Sequence, residues 1–186
     1  MFVNHIDALY IFPMKILYKY LLIFLQLVLL VSCDKGIAPA TVEEENQTAG
    51  FSGTITFVGI WPDSVKWTLL VVFKEPLSSP ESFNVLNVGY IGHPIPTGTS
   101  VYNYSTLVDT GFIPITAGSY SYIAVAQSKN PNLTVNRNDW KVVGVYYANN
   151  DTTKPGALNI PNNTLVGNIN IECNFNNPPP QPPGGN

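Results

Sequence analysis

Two thiols, two histidines and a scatter of carboxylates are the residues of this 186-residue chain with the means to do chemistry. His93 stands in Gly92-His93-Pro94-Ile95-Pro96. A nucleophilic triad needs a histidine held by a carboxylate on a rigid frame, and a Gly- and Pro-rich loop does not promise one. Zinc needs several His, Cys or carboxylate ligands together, and no spacing here supplies them. Glycoside hydrolysis needs paired carboxylates across a cleft. Asp63, Glu75, Glu81, Asp109, Asp139, Asp151 and Glu172 are scattered singly, and no pair stands out. Asn136-Arg137-Asn138-Asp139 and Asn149-Asn150-Asp151 are rich in oxygen but lack the spaced carboxylates of a calcium loop. Asn and Asp are also favoured in turns. The residues therefore read as a non-enzyme with no cofactor and no metal.

Aromatic rings give a second kind of chemistry, because flat rings stack on sugars or cover a protein surface. Trp61, Tyr102, Tyr104, Tyr146 and Tyr147 are the candidates for a binding face. Trp61 precedes Pro62 in a loop, where it either clamps the loop or meets a ligand. Trp67, Trp140, Tyr120 and Tyr122 lie in strongly alternating runs and read as core. The net charge is −3, and no basic patch of the kind a nucleic-acid binder carries is visible.

The remaining reactive groups are the cysteines. Cys33 ends the apolar stretch Leu21 to Val31, with Ser32 just before it and Lys15 and Lys19 upstream. A basic start, an apolar run of about 7–15 residues and a small residue at the cut make a secretory signal. The run is short for a membrane span, which takes about 20 residues. Pro13 would break a helix through the whole segment, so Met14 competes with Met1 as the start.

The run Leu30-Val31-Ser32-Cys33 resembles the lipobox of bacterial lipoproteins. That resemblance implies that residues 1–32 are removed as a signal-peptide helix and that Cys33 is lipid-modified. The membrane is then a partner, through the acylated N-terminus. The location implied is a bacterial cell envelope, with the outer membrane or cell surface preferred. Asp34 resembles an inner-membrane retention signal and leaves that membrane open. If Cys33 carries lipid, Cys173 has no disulfide partner. Cys173 alternates with polar residues in Ile169-Asn170-Ile171-Glu172-Cys173-Asn174-Phe175 and reads as a small buried hydrophobe on a strand.

The elements that must position these groups are strands. Residues 33–50 form a lipidated cysteine and a flexible tether, whose acidic run Glu43-Glu44-Glu45 favours extension. Residues 51–175 form the domain. Residues 176–186 form a Pro/Gly-rich tail, extended and unstructured by composition. Within the domain, Phe51 to Phe57 alternates as a half-buried strand does. Val65 to Phe73 is apolar on both faces in its second half and reads as a central strand. Further runs are Val85–Ile91, Val101–Leu107, Gly111–Ile115, Gly118–Gln127, Trp140–Tyr147, Ala157–Ile160 and Val166–Phe175. Prolines punctuate them, as they must at turns. The fold expected is all-β, a single antiparallel sandwich of about 7–9 strands.

The segment Ile115-Thr116-Ala117-Gly118-Ser119-Tyr120-Ser121-Tyr122 resembles the strand entry of transthyretin-like (prealbumin-like, carboxypeptidase-regulatory-like) sandwiches, and Gly53-Thr54-Ile55-Thr56-Phe57 resembles their first strand. With Trp61-Pro62, Val71-Val72-Phe73, Asp139-Trp140-Lys141 and Asn168-Ile169-Asn170-Ile171, the order is similar to a group of uncharacterised envelope lipoproteins. The resemblance implies a fold and a compartment and carries no catalytic residues. A non-catalytic module for a glycan or an envelope protein is one expectation. A structural accessory subunit of an envelope complex is the other.

Overall fold

The computed structural model describes Lys19 and residues 49–185. The chain divides into Met1–Glu43 and Glu44–Asn186, and the β-domain belongs to the second unit. The rest of the signal segment, with Leu30, Val31 and Ser32, together with Cys33 and the tether as far as Thr48, lies outside the described residues. Among the described residues no helix is long and apolar enough to cross a membrane.

Ten strands carry the domain: β1 (Gly50–Val58), β2 (Trp67–Phe73), β3 (Val88–Ile91), β4 (Val101–Ser105), β5 (Gly118–Tyr120), β6 (Tyr122–Ser128), β7 (Trp140–Val145), β8 (Leu158–Ile160), β9 (Leu165–Val166) and β10 (Ile171–Asn174). The all-β expectation holds. The antiparallel sandwich expected from the sequence does not hold in that form, because the main sheet is mixed. Its order is β3-β2-β6-β7-β10-β1-β4, with β9 also on β1, and β5 and β8 make a separate pair. β1 runs antiparallel to β4 but parallel to both β9 and β10.

Local backbone chemistry explains the extra strands. Val166–Phe175 was expected as one run, but Asn168 adopts a positive φ of 62°. The partner of β1 is therefore interrupted, resuming at Ile55↔Ile171 after Phe51↔Val166. Gly118–Gln127 is likewise broken at Ser121. In an unbroken strand Tyr120 and Tyr122 would share a face. Instead Tyr120 enters one core and Tyr122 the other. Gly111–Ile115 contributes a single bridge, Ile113 to Ile91.

The sheet curls around a core of Phe51, Ile55, Leu70, Val72, Ile123, Val125, Ile171 and Cys173, which project from its inner face. Gly53 lets the chain close there. A Cβ at this position would overlap the Ile169 carbonyl, which accepts the Tyr104 hydroxyl at 2.6 Å. Leu69, Val71, Phe73, Tyr122, Ala124, Ala126, Trp140 and Val142 form a second apolar group on the outer face of β2, β6 and β7. The outer face of β1 and β10 is different: Thr56 and Glu172 are exposed there. One sheet surface is thus half apolar and half polar.

Burial raises the Tyr90, Tyr104 and Tyr122 phenols well above their ordinary value of 10.0. Nearby Asp109 adds to the effect at Tyr90. The unfolded chain loses these protons near pH 10 while the fold keeps them, so the unfolded state binds fewer protons there. Stability is full below about pH 10 and falls as pH rises beyond it. Alkaline spectrophotometric titration should show these tyrosines ionising only as circular dichroism reports unfolding. Full ionisation near pH 10 with the fold intact would contradict this.

The tail, unstructured by composition, makes specific contacts in the structure. The Gln181 side-chain amide accepts from the Val142 N–H at 2.9 Å and donates to the Val142 carbonyl at 2.8 Å. β10 pairs with β7 only at Gly144, so the amide satisfies the Val142 groups on the edge of β7 that β10 does not reach. Pro182 is buried beside it, and its carbonyl accepts from Arg137 at 3.0 Å.

Candidate functional site

An apolar recess lies on the outer face of β2, β6 and β7. Its floor is the second apolar group, and its cover is two loops. The loop between β2 and β3 supplies Leu77, Phe83 and Val85. The loop between β6 and β7 supplies Leu133, Val135 and Arg137. The cavity between floor and cover is about 190 Å³. Sheets normally bury one face and wet the other. Here Thr-Leu-Leu-Val-Val-Phe on β2 has no alternation, so a cover is required on both sides.

Side-chain hydrogen bonds pin both covering loops. Asn87 is buried; its Oδ1 accepts from Glu75 N at 2.7 Å, and its Nδ2 donates to Ser82 O at 2.8 Å and Glu75 O at 3.3 Å. In the other loop Asp139 accepts from Thr134 Oγ1 at 2.6 Å and Asn130 Nδ2 at 3.1 Å, while Trp140 Nε1 donates to Thr134 O at 2.9 Å. Asn136 caps the short 3-10 turn that follows. The oxygen-rich run 136–139 therefore uses Asn136 and Asp139 as turn-formers.

Arg137 is the one cation in the wall. Only 7% of it is exposed. Its guanidinium donates to the Trp140 and Pro182 carbonyls and lies 5.7 Å from the Phe83 ring centroid. Nε has no hydrogen-bond partner, and among the described residues no carboxylate pairs with it. Burial lowers its pKa from the ordinary value, and the neighbouring Tyr122 opposes that.

The five aromatics expected to form a binding face are divided among packing groups. Trp61 lies against Phe57 and Phe175 at centroid distances of 4.7 and 5.2 Å, and its Nε1 donates to Thr99 O at 3.1 Å. The ring and its N–H thus both hold the loop that carries Trp61. Tyr104 is buried, with its ring edge-on to Phe51. Tyr102 and Tyr146 are half-buried against the inner core. Tyr147 is half-buried against the outer group, and it also borders an open polar depression with Thr56, Glu172 and Asn174.

His93, read from the sequence as a lone loop histidine, is paired. Its Nδ1 meets Asp109 Oδ1, and Gly111 N donates to the same carboxylate oxygen at 3.0 Å. Among the described residues its ring hydrogen-bonds to Asp109 alone. The pair joins the loop after β3 to the loop after β4.

Cys173 is fully buried under Gly144, where a Cβ would come within 2.5 Å of the sulfur. Burial, then the charge of Glu172, pushes the thiol far above its ordinary range. A thiol reagent at pH 8 should therefore label Cys173 only on unfolding, read by mass spectrometry of its peptide. Rapid labelling of the folded chain would contradict the packing.

Comparison with protein families, with curated proteins and with solved structures finds no match for this chain. The recess must be read from its own residues. Sequence reasoning missed it, although its signal was present: β2 and β6 carry apolar residues on their outer as well as their inner faces.

Proposed function

We propose that this chain is a lipid-anchored, non-catalytic binding module of a bacterial cell envelope, with a transthyretin-like sandwich as its scaffold, and that it holds a small apolar ligand in the recess. The observation that carries the reading is the apolar cavity of about 190 Å³ under loops pinned by Asn87 and Asp139. Pockets lined mostly by apolar side chains with a few placed polar groups are the usual form of ligand sites. The lipobox-like run ending at Cys33 supports the anchorage.

The test of ligand binding is a thermal-shift titration of the full chain with 1-octanol. A ligand that binds the native state raises the melting temperature. A saturable rise is expected, and a flat or falling curve overturns the reading. For the anchorage, Cys33→Ser should move the chain out of the membrane fraction of the cells that make it. Retention there would overturn it.

A second reading, an accessory subunit of an envelope complex, is favoured by β4. That strand ends the sheet and pairs only with β1 among the described residues, and Val101 on it is exposed. A bare edge is a template for a strand from a partner.

A further inference from the structure

We infer a second site, for a neutral oligosaccharide, in the open depression on the outer face of β1 and β10. It shares no lining residue with the apolar recess.

Strand alternation lays its floor. Asn170, Glu172 and Asn174 line the depression in a row, with about 7 Å between successive members. Thr56 stands beside Glu172 in the paired register. Both strands lie inside the sheet, so no strand edge is open there for a peptide to extend. Recognition rests on side chains, and two of them are already fixed. Asn170 Oδ1 accepts from Thr54 N–H at 2.9 Å. Asn174 Oδ1 accepts from the Asn176 and Asn177 N–H groups at 3.1 and 3.3 Å. Each of these amides has two N–H donors on its nitrogen to offer a ligand. Glu172, exposed between them, forms no ion pair among the described residues and only accepts. The row thus reads donor, acceptor, donor, with the Thr56 hydroxyl able to do either. Sugar hydroxyls both donate and accept, and they match such a row. Side chains held before the ligand arrives lose little freedom on binding it.

The walls supply apolar surface. Tyr147 borders the depression, and so do Pro178, Pro179 and Pro180 of the tail. The Gln181 contact with Val142 holds those prolines in place. A tyrosine ring offers a flat face to the C–H side of a sugar and a hydroxyl at its tip. Charge and size narrow the ligand. No Lys or Arg lines the depression, and its one charged group is the Glu172 carboxylate. An acidic or phosphate-bearing chain would meet repulsion and no cation. The volume is about 990 Å³, at the upper end of the range for ligand pockets, about 300–1,000 Å³. That suits several linked sugar rings better than one.

The test is calorimetric titration of the full chain with cellohexaose, xylohexaose, mannohexaose and the N-acetylated chitin hexamer, and with hexagalacturonate as the acidic partner. At least one neutral hexamer should bind saturably, with a Kd below about 1 mM. It should bind at least about tenfold tighter than hexagalacturonate. Glu172→Ala removes a charged acceptor and should weaken it at least about tenfold. Thr56→Arg fills the depression and sets a cation beside the Glu172 carboxylate, and it should abolish binding. Both positions are exposed, so both variants should fold like the unaltered chain. Binding of no neutral hexamer overturns the inference. Hexagalacturonate binding as tightly as the neutral hexamers overturns it too. Saturable binding that both variants leave undiminished places the sugar elsewhere and overturns the site.

Discussion

Phe51→Ala should lower the unfolding free energy by about 3–5 kcal/mol, the cost of removing a fully buried large aromatic. Phe51 is 0% exposed, and its ring meets Tyr90 and Tyr104 edge-on at centroid distances of 5.8 and 5.6 Å. Such pairs add to simple burial, by about 0.5–1.5 kcal/mol each. The backbone at Phe51 is held as well. Its N–H donates to Thr106 Oγ1 at 2.9 Å, and its carbonyl accepts from Thr106 N at 3.0 Å. The void left by alanine therefore has little freedom to collapse, which places the cost at the upper end. Urea denaturation of the full chain measures it. Ile60→Ala is the control, since Ile60 is 90% exposed and should change stability by no more than about 0.5 kcal/mol. A loss below about 1 kcal/mol at Phe51 would show that the core is not packed as described.

Gln181→Ala should cost about 2–4 kcal/mol. It leaves both the N–H and the carbonyl of Val142 without their partner, at about 1–3 kcal/mol for each buried group left unsatisfied. Water reaching the vacated edge would bring the loss toward the lower value. Gln181→Glu separates the two halves of the contact: its carboxylate can accept from Val142 N–H but, ionised, cannot donate to the carbonyl. It should fall between the wild type and the alanine variant. Hydrogen exchange at Val142 should quicken in Gln181→Ala, because that amide then has no acceptor. Unchanged exchange and unchanged stability together would mean that the tail does not hold this position in solution.

Much of the fold was legible because strands announce themselves by alternation. Ile169, Ile171 and Cys173 turn inward and Asn170 and Glu172 outward, as their spacing predicts. Val65–Phe73 reads as a central strand from its doubled apolar faces, and β2 is flanked by β3 and β6. What was hidden is direction and partnership. Parallel pairing of β1 with β10 depends on how the chain returns after β8, and no local pattern encodes that path. The break at Asn168 was hidden for a different reason: one residue's backbone angle turns a run of strand formers into two strands.

The candidate site was less legible. Aromatic residues stand out in a sequence whether they pack or bind, and Trp61 and Tyr104 pack. The recess depends on two loops brought over one sheet face, a relation between segments some fifty residues apart in order. Arg137 looked like one member of a turn. Its burial between Trp140, Phe83 and the tail is a relation that only three-dimensional neighbours can reveal.

The parallel pairing of β1 with β10 would have a mechanical meaning under the anchorage proposed above. The chain enters β1 at one end of the pair and leaves β10 at the other. Tension between an anchor before Gly50 and a grip on the tail would therefore pull the two strands past each other along their length. The hydrogen bonds between them would share that load together, whereas antiparallel neighbours pulled from one end would open bond by bond. Forced opening is governed by the unfolding rate and not by equilibrium stability. Pulling across the two ends of the domain would thus load the β1–β10 seam in shear.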